Sequence, residues 1–107
     1  MSQAWVMLII AGLLEIGWAM GLKATDGFTR PVPTILTLIA LLGSLLLLAR
    51  AVQVLPIGTA YAVWVGIGAA GAVVFGIILH GESTSPLKLL SLIAVLAGIV
   101  GLKLSSA

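Results

Sequence analysis

The sequence predicts an all-α integral membrane protein with four transmembrane helices, and three observations lead there. Of its 107 residues 62% are hydrophobic and only 7% charged, with a mean hydropathy of +1.33, far from the balance of a water-soluble domain. Five Lys and Arg, three Asp and Glu and one His cannot cover the surface that such a domain would expose. Those charges, with Pro and Gly, also divide the chain into four apolar runs, each long enough to cross about 30 Å of hydrocarbon.

The first run covers residues 5–22, apolar except for Glu15, and the polar stretch from Lys23 to Pro31 closes it. The second covers residues 32–50, led in by Pro31 and Pro33 and ended by Arg50; its polar members are Thr34, Thr37 and Ser44. A short link containing Gln53 reaches Pro56, and the uncharged third run occupies residues 57–79. His80 to Pro86 form the next loop. The fourth run, residues 87–104, is framed by Lys88 and Lys103, whose stems can snorkel to the two interfaces. Four helices with tight loops leave no room for a second domain within residues 1–107. The N-terminus lacks a basic region and a small-residue cleavage site, so the first run is expected to stay in the mature protein.

Several functions are excluded by composition. The pI near 9.5 rests on a net charge of +2 from scattered single residues, with no basic patch interleaved with aromatics, so nucleic acid is not an expected partner. Cysteine is absent, which removes disulfides, thiolate metal sites and cysteine nucleophiles. His80 has no Cys or second His nearby, so neither a metal nor a cofactor is expected. With no nucleophile–base pair and no phosphate loop, the chain does not read as an enzyme.

The third run differs in texture. It carries Gly66, Gly68, Gly71 and Gly76 inside a continuous helical pattern, where glycine is intrinsically costly. Close helix packing through small residues accounts for such density, and a hinge or an opening for a ligand is the alternative. Tyr61, Trp64, Gly68 and Gly71 fall at i, i+3, i+7 and i+10, hence on one face.

Glu15 is the residue that needs explaining. It lies ten residues after Trp5, roughly 15 Å along the helix and near the middle of the bilayer. An ionised acid there costs about 2.5–3.5 kcal/mol, so it faces a bundle interior or water and is a functional candidate. Two plainer readings exist: a protonated carboxyl that glues helices together, or half of a buried ion pair. Lys23, Arg30, Arg50, Lys88 and Lys103 all fall at helix ends, which disfavours the pair. Desolvation disfavours a lone charge, so the carboxylate takes up a proton or a cation. Trp18, three residues on, shares its face, and its indole N–H is placed to orient the carboxylate. A tryptophan belt at the interface suits Trp5 better. Ser44, the sole serine of the second run, is a candidate hydrogen-bond partner of Glu15.

The stretches GLLEIGWAMGLK, GFTRPVP, LPIGTAYAVWVGIGA and GIVGLKL resemble, over essentially the whole chain, the small multidrug resistance family of four-helix bacterial exporters, and within it the guanidinium-exporter subtype. The resemblance implies a proton-coupled antiporter that exports guanidinium and small substituted guanidines across the bacterial inner membrane. It implies that Glu15 binds both proton and substrate and that Trp18, Ser44, Tyr61 and Trp64 line and order the site. It further implies an antiparallel, dual-topology homodimer with the fourth helix as main contact, where Gly98 and Gly101 allow close approach. Val65 stands where relatives often carry a hydroxyl residue, which loosens a polar network near the site, and Gln53 where they often carry lysine. A multidrug or quaternary-ammonium exporter of the same fold and a non-transporting membrane subunit are the competing readings.

Overall fold

The computed structural model describes residues 2–105; Met1, Ser106 and Ala107, part of the predicted domain, lie outside the described residues. The described residues form four helices: α1 Gln3–Ala24, α2 Pro31–Ala51, α3 Ile57–His80 and α4 Pro86–Ser105. Each is long and apolar enough to cross a membrane. Their ends lie up to two residues outside the predicted bounds, for local reasons. The Ser2 hydroxyl accepts the Trp5 N–H at 3.4 Å and starts α1 early. Pro31 and Pro86 take the first helical position, where a missing N–H costs nothing. Gly81, at φ 65°, stops α3 in the left-handed conformation that glycine adopts freely.

The α1–α2 connection is more structured than a polar loop. Asp26, Gly27 and Phe28 are left-handed in succession, with φ of 50°, 69° and 66°, a conformation that costs a non-glycine residue about 1–2 kcal/mol. The buried Thr25 offsets that cost. Its hydroxyl donates to the Leu22 carbonyl (2.7 Å) and accepts the Phe28 N–H (3.2 Å), while its own carbonyl accepts the N–H groups of Thr29 and Arg30.

The helices stand in the order α2, α1, α3, α4. α1 packs along both α2 and α3, whereas the α4 backbone approaches α3 alone. The result is a slab of 43 × 35 × 18 Å, less than two helix diameters thick. A small core forms where α1 begins, α2 ends and α3 begins, built on Trp5, Leu8, Ala11, Ala51, Ala60, Val63 and Trp64. Trp5 therefore departs from the lipid-facing belt predicted for it: at 7% exposure it is a core residue. Lys103 lies with its Nζ 5.0 Å from the centre of the Trp5 ring, a cation–π contact that joins the end of α4 to the start of α1. Elsewhere α4 buries no residue, and its first turn is tied to the preceding loop by a solvent-exposed Lys88–Glu82 ion pair at 3.1 Å.

Candidate functional site: a carboxylate in the α1–α3 interface

The glycines of α3 are notches for its neighbours. A Cβ on Gly68 would collide with the Glu15 carboxylate, and one on Gly71 with the Ile16 side chain. The exchange is reciprocal, since a Cβ on Gly12 of α1 would stand 2.8 Å from Ile67 of α3. Gly66 faces the other way and receives Ile99 of α4. α3 runs unbroken through all four glycines, so close packing accounts for their density without a bend in the helix. Because a backbone without Cβ brings the helix axes together, Glu15 is pressed against bare α3 main chain.

Polar groups around the carboxylate are incompletely paired. Glu15 Oε1 and Trp18 Nε1 are both buried with no hydrogen-bond partner among the described residues. This corrects the expectation that the Trp18 indole orients Glu15: its ring packs against the core cluster instead. Ser44 also has a different partner from the one predicted. Its hydroxyl, fully buried, donates to the Ala11 carbonyl at 2.6 Å and accepts the Trp64 indole N–H at 2.9 Å. The reason is register: Ala11, one helical turn before Glu15, is the level of α1 that Ser44 meets. That relay links α1, α2 and α3 through one hydroxyl and leaves the carboxylate free. Tyr61 lies at the outer end of the same α3 face, 54% exposed, its ring 5.7 Å from that of Trp64.

The structure thus gathers Trp64 and Ser44 into a satisfied relay and sets Glu15 one turn away, on Gly68. Gly98 and Gly101 lie apart on α4, where an added Cβ would meet nothing within 4 Å. Sequence reasoning missed Gly12, Ile16, Ile67 and the Ala11 carbonyl. Gly12 was findable, because it sits three residues before Glu15 on the same face and small residues mark helix contacts. The carbonyl had no signal in the sequence, being a backbone group chosen by tertiary register. Chemically, a buried carboxylate oxygen with unused lone pairs is an acceptor that a proton or an N–H-bearing cation satisfies.

Four membrane-spanning helices with one buried, unpaired acid between α1 and α3 define a small multi-pass membrane protein. Residues 3–96 match the Small Multidrug Resistance protein family model. The chain is 58% identical over 104 residues to proteins named guanidinium exporter from Citrobacter freundii and Salmonella typhimurium, covering 97% of this chain and 99% of theirs. It is 56% identical, with the same coverage, to the guanidinium exporter of Escherichia coli O6:H1. The chain belongs to the Small Multidrug Resistance protein family.

Proposed function

We propose that the protein is a proton-coupled antiporter that exports guanidinium and small substituted guanidines across the bacterial inner membrane. The observation that carries this reading is the Glu15 carboxylate, held against Gly68 with Oε1 buried and unpaired, in a chain closely similar to proteins named guanidinium exporter. Guanidinium is planar, permanently charged and rich in N–H donors, so it forms a fork with a carboxylate. The faces of Tyr61, Trp64 and Trp18 add cation–π attraction. Quaternary ammonium ions have no N–H to donate. A cation entering displaces the proton, and if the site opens to one side at a time, a proton gradient drives export. In proteoliposomes under one proton gradient, guanidinium is expected to exchange well and tetramethylammonium weakly; exchange of tetramethylammonium with none of guanidinium would favour the quaternary-ammonium reading.

The working unit we propose is an antiparallel homodimer. The subunit is a slab only 18 Å thick, and α4, with no buried residue and with Gly98 and Gly101 facing open space, supplies a surface for a second copy. Arg50 and Lys103 fall on one side of the membrane and Lys23, Arg30 and Lys88 on the other. Two against three is too small a bias to fix orientation. Two carboxylates in one chamber then lose their protons in coupled steps. C-terminal reporter fusions are expected to report both sides of the membrane in comparable amounts, and a single location sinks the dual topology.

A further inference from the structure

Where α1 begins and α2 ends, Gln3 and Met7 of α1, Arg50 of α2 and Gln53 of the following turn line an open cleft of about 440 Å³. Arg50 is exposed, and its guanidinium forms no ion pair or hydrogen bond among the described residues. Gln53 Nε2 donates to the Ala49 carbonyl at 3.3 Å, which holds the amide beside Arg50 with a second N–H unused. No acidic side chain is near. Glu15 lies about 18 Å along α1 from Gln3, and Asp26 and Glu82, the other two acids of the chain, sit in the loops at the opposite end. A second cleft with a cation, between α3 and α4, differs in this respect, because its Lys88 is already paired with Glu82 at 3.1 Å. Toward the middle of the membrane the surface beside Arg50 turns apolar. Leu46, four residues before Arg50 on α2, and Ile10, three after Met7 on α1, continue the stripes of the cleft and are both exposed. The groove closes where Leu14 meets Gly43, seven residues or about 10 Å below Arg50. It lies at the α2 edge of the slab, opposite α4, so the dimer proposed above, paired through α4, leaves it open to lipid.

We propose that this cleft binds the headgroup of an anionic phospholipid, a diester of the phosphatidylglycerol type, with one acyl chain lying on Leu46 and Ile10. The site is separate from Glu15, and its assignment holds whatever ion the protein carries. Gln3 and Arg50 stand at the ends of membrane-spanning helices, the level at which lipid phosphates lie. A guanidinium meets a phosphate in a two-pronged fork. The Gln3 and Gln53 amides add N–H groups for the remaining phosphate oxygens and carbonyls for headgroup hydroxyls. Charge selects among lipids. A zwitterionic headgroup brings an ammonium with its phosphate, and the cleft holds no carboxylate to pair with it, while Arg50 repels it. An anionic headgroup carries no such ammonium. Free phosphate would satisfy Arg50 and leave the apolar stripe uncovered; an amphiphile covers both.

The test is native mass spectrometry of the full chain with dioleoylphosphatidylglycerol and dioleoylphosphatidylcholine added in equal amounts, read as the ratio of the two lipids bound. The native protein is expected to favour phosphatidylglycerol about tenfold, the scale of one charge-assisted contact at a membrane surface. Arg50→Gln should bring the ratio close to one. Gln53→Glu should do the same while keeping the cation, because it gives Arg50 the kind of acidic neighbour that Lys88 has in Glu82; position 53 is exposed in a turn, so this variant keeps the test open if Arg50→Gln assembles poorly. Lys88→Gln should leave the ratio unchanged. A native ratio near one overturns the assignment, as does a preference that survives Arg50→Gln and Gln53→Glu, or one that is lost in Lys88→Gln instead. Displacement of bound phosphatidylglycerol by millimolar inorganic phosphate overturns it as well, since the cleft would then hold a bare anion and no acyl chain.

Discussion

Glu15→Gln is expected to bind no guanidinium and to release no proton when the cation is added, while its helices and the proposed dimer stay assembled. Glutamine keeps the shape of the side chain, so the contact with Gly68 survives and the packing cost is small. What disappears is the charge and the exchangeable proton together. A bidentate, charge-assisted pair is worth about 3 kcal/mol, so affinity should fall by at least roughly a hundredfold. Proton release measured in weakly buffered detergent solution tests this directly, because the readout needs no membrane and no gradient. Release at the native level from Glu15→Gln would mean that another group carries the proton.

Gly68→Ala should be nearly as damaging by a different route. The added Cβ occupies the space of the Glu15 carboxylate, and α1 cannot simply retreat, because Ile67 is seated in Gly12 and Ile16 in Gly71 on either side. The carboxylate must therefore swing away from its position, and a misplacement of about 1 Å in a working group costs on the order of a hundredfold in rate. Gly71→Ala supplies the contrast. There the new methyl meets a hydrocarbon, Ile16, so the expected effect is a lowered thermal midpoint with substrate-driven proton release retained. Equal losses of coupling in both variants would show that helix separation matters and that the placement of Glu15 does not.

Much of this architecture was legible in the sequence because lipid makes charge placement strict. Polar and Pro/Gly stretches marked the ends of all four helices to within two residues, and the one acid inside a run stood out as Glu15. The three-residue period also placed Trp64, Gly68 and Gly71 on a common face, the one turned to α1. Partners were less legible than faces. Periodicity says which residues of a helix look the same way; it does not say at what height a neighbouring helix meets them. Hence Ser44 was expected on Glu15 and lies one turn away, on the Ala11 carbonyl. Helices apolar all round carry no stripe that distinguishes lipid from protein, so nothing in the residues separated the core position of Trp5 from a place at the membrane surface. Thr25, embedded in a polar stretch, gave no hint that it gathers five hydrogen bonds.

The paired notches have a mechanical consequence. Ile67 in Gly12 and Ile16 in Gly71 are two pegs set one helical turn apart in opposite directions, and together they forbid a sliding piston: moving α1 along α3 by a few ångströms would drive each isoleucine into a neighbouring side chain. The two helices must travel as one beam. If the site opens to one face of the membrane at a time, as proposed, that alternation falls to the parts hung on this beam. α2 is fastened to it at Ser44, and α4 is pinned near Ile99 and Lys103 but loose at its first half. In the antiporter proposed above, a carboxylate fixed to the beam would keep its geometry, and so its grip on the ion, while the flanks tilt around it.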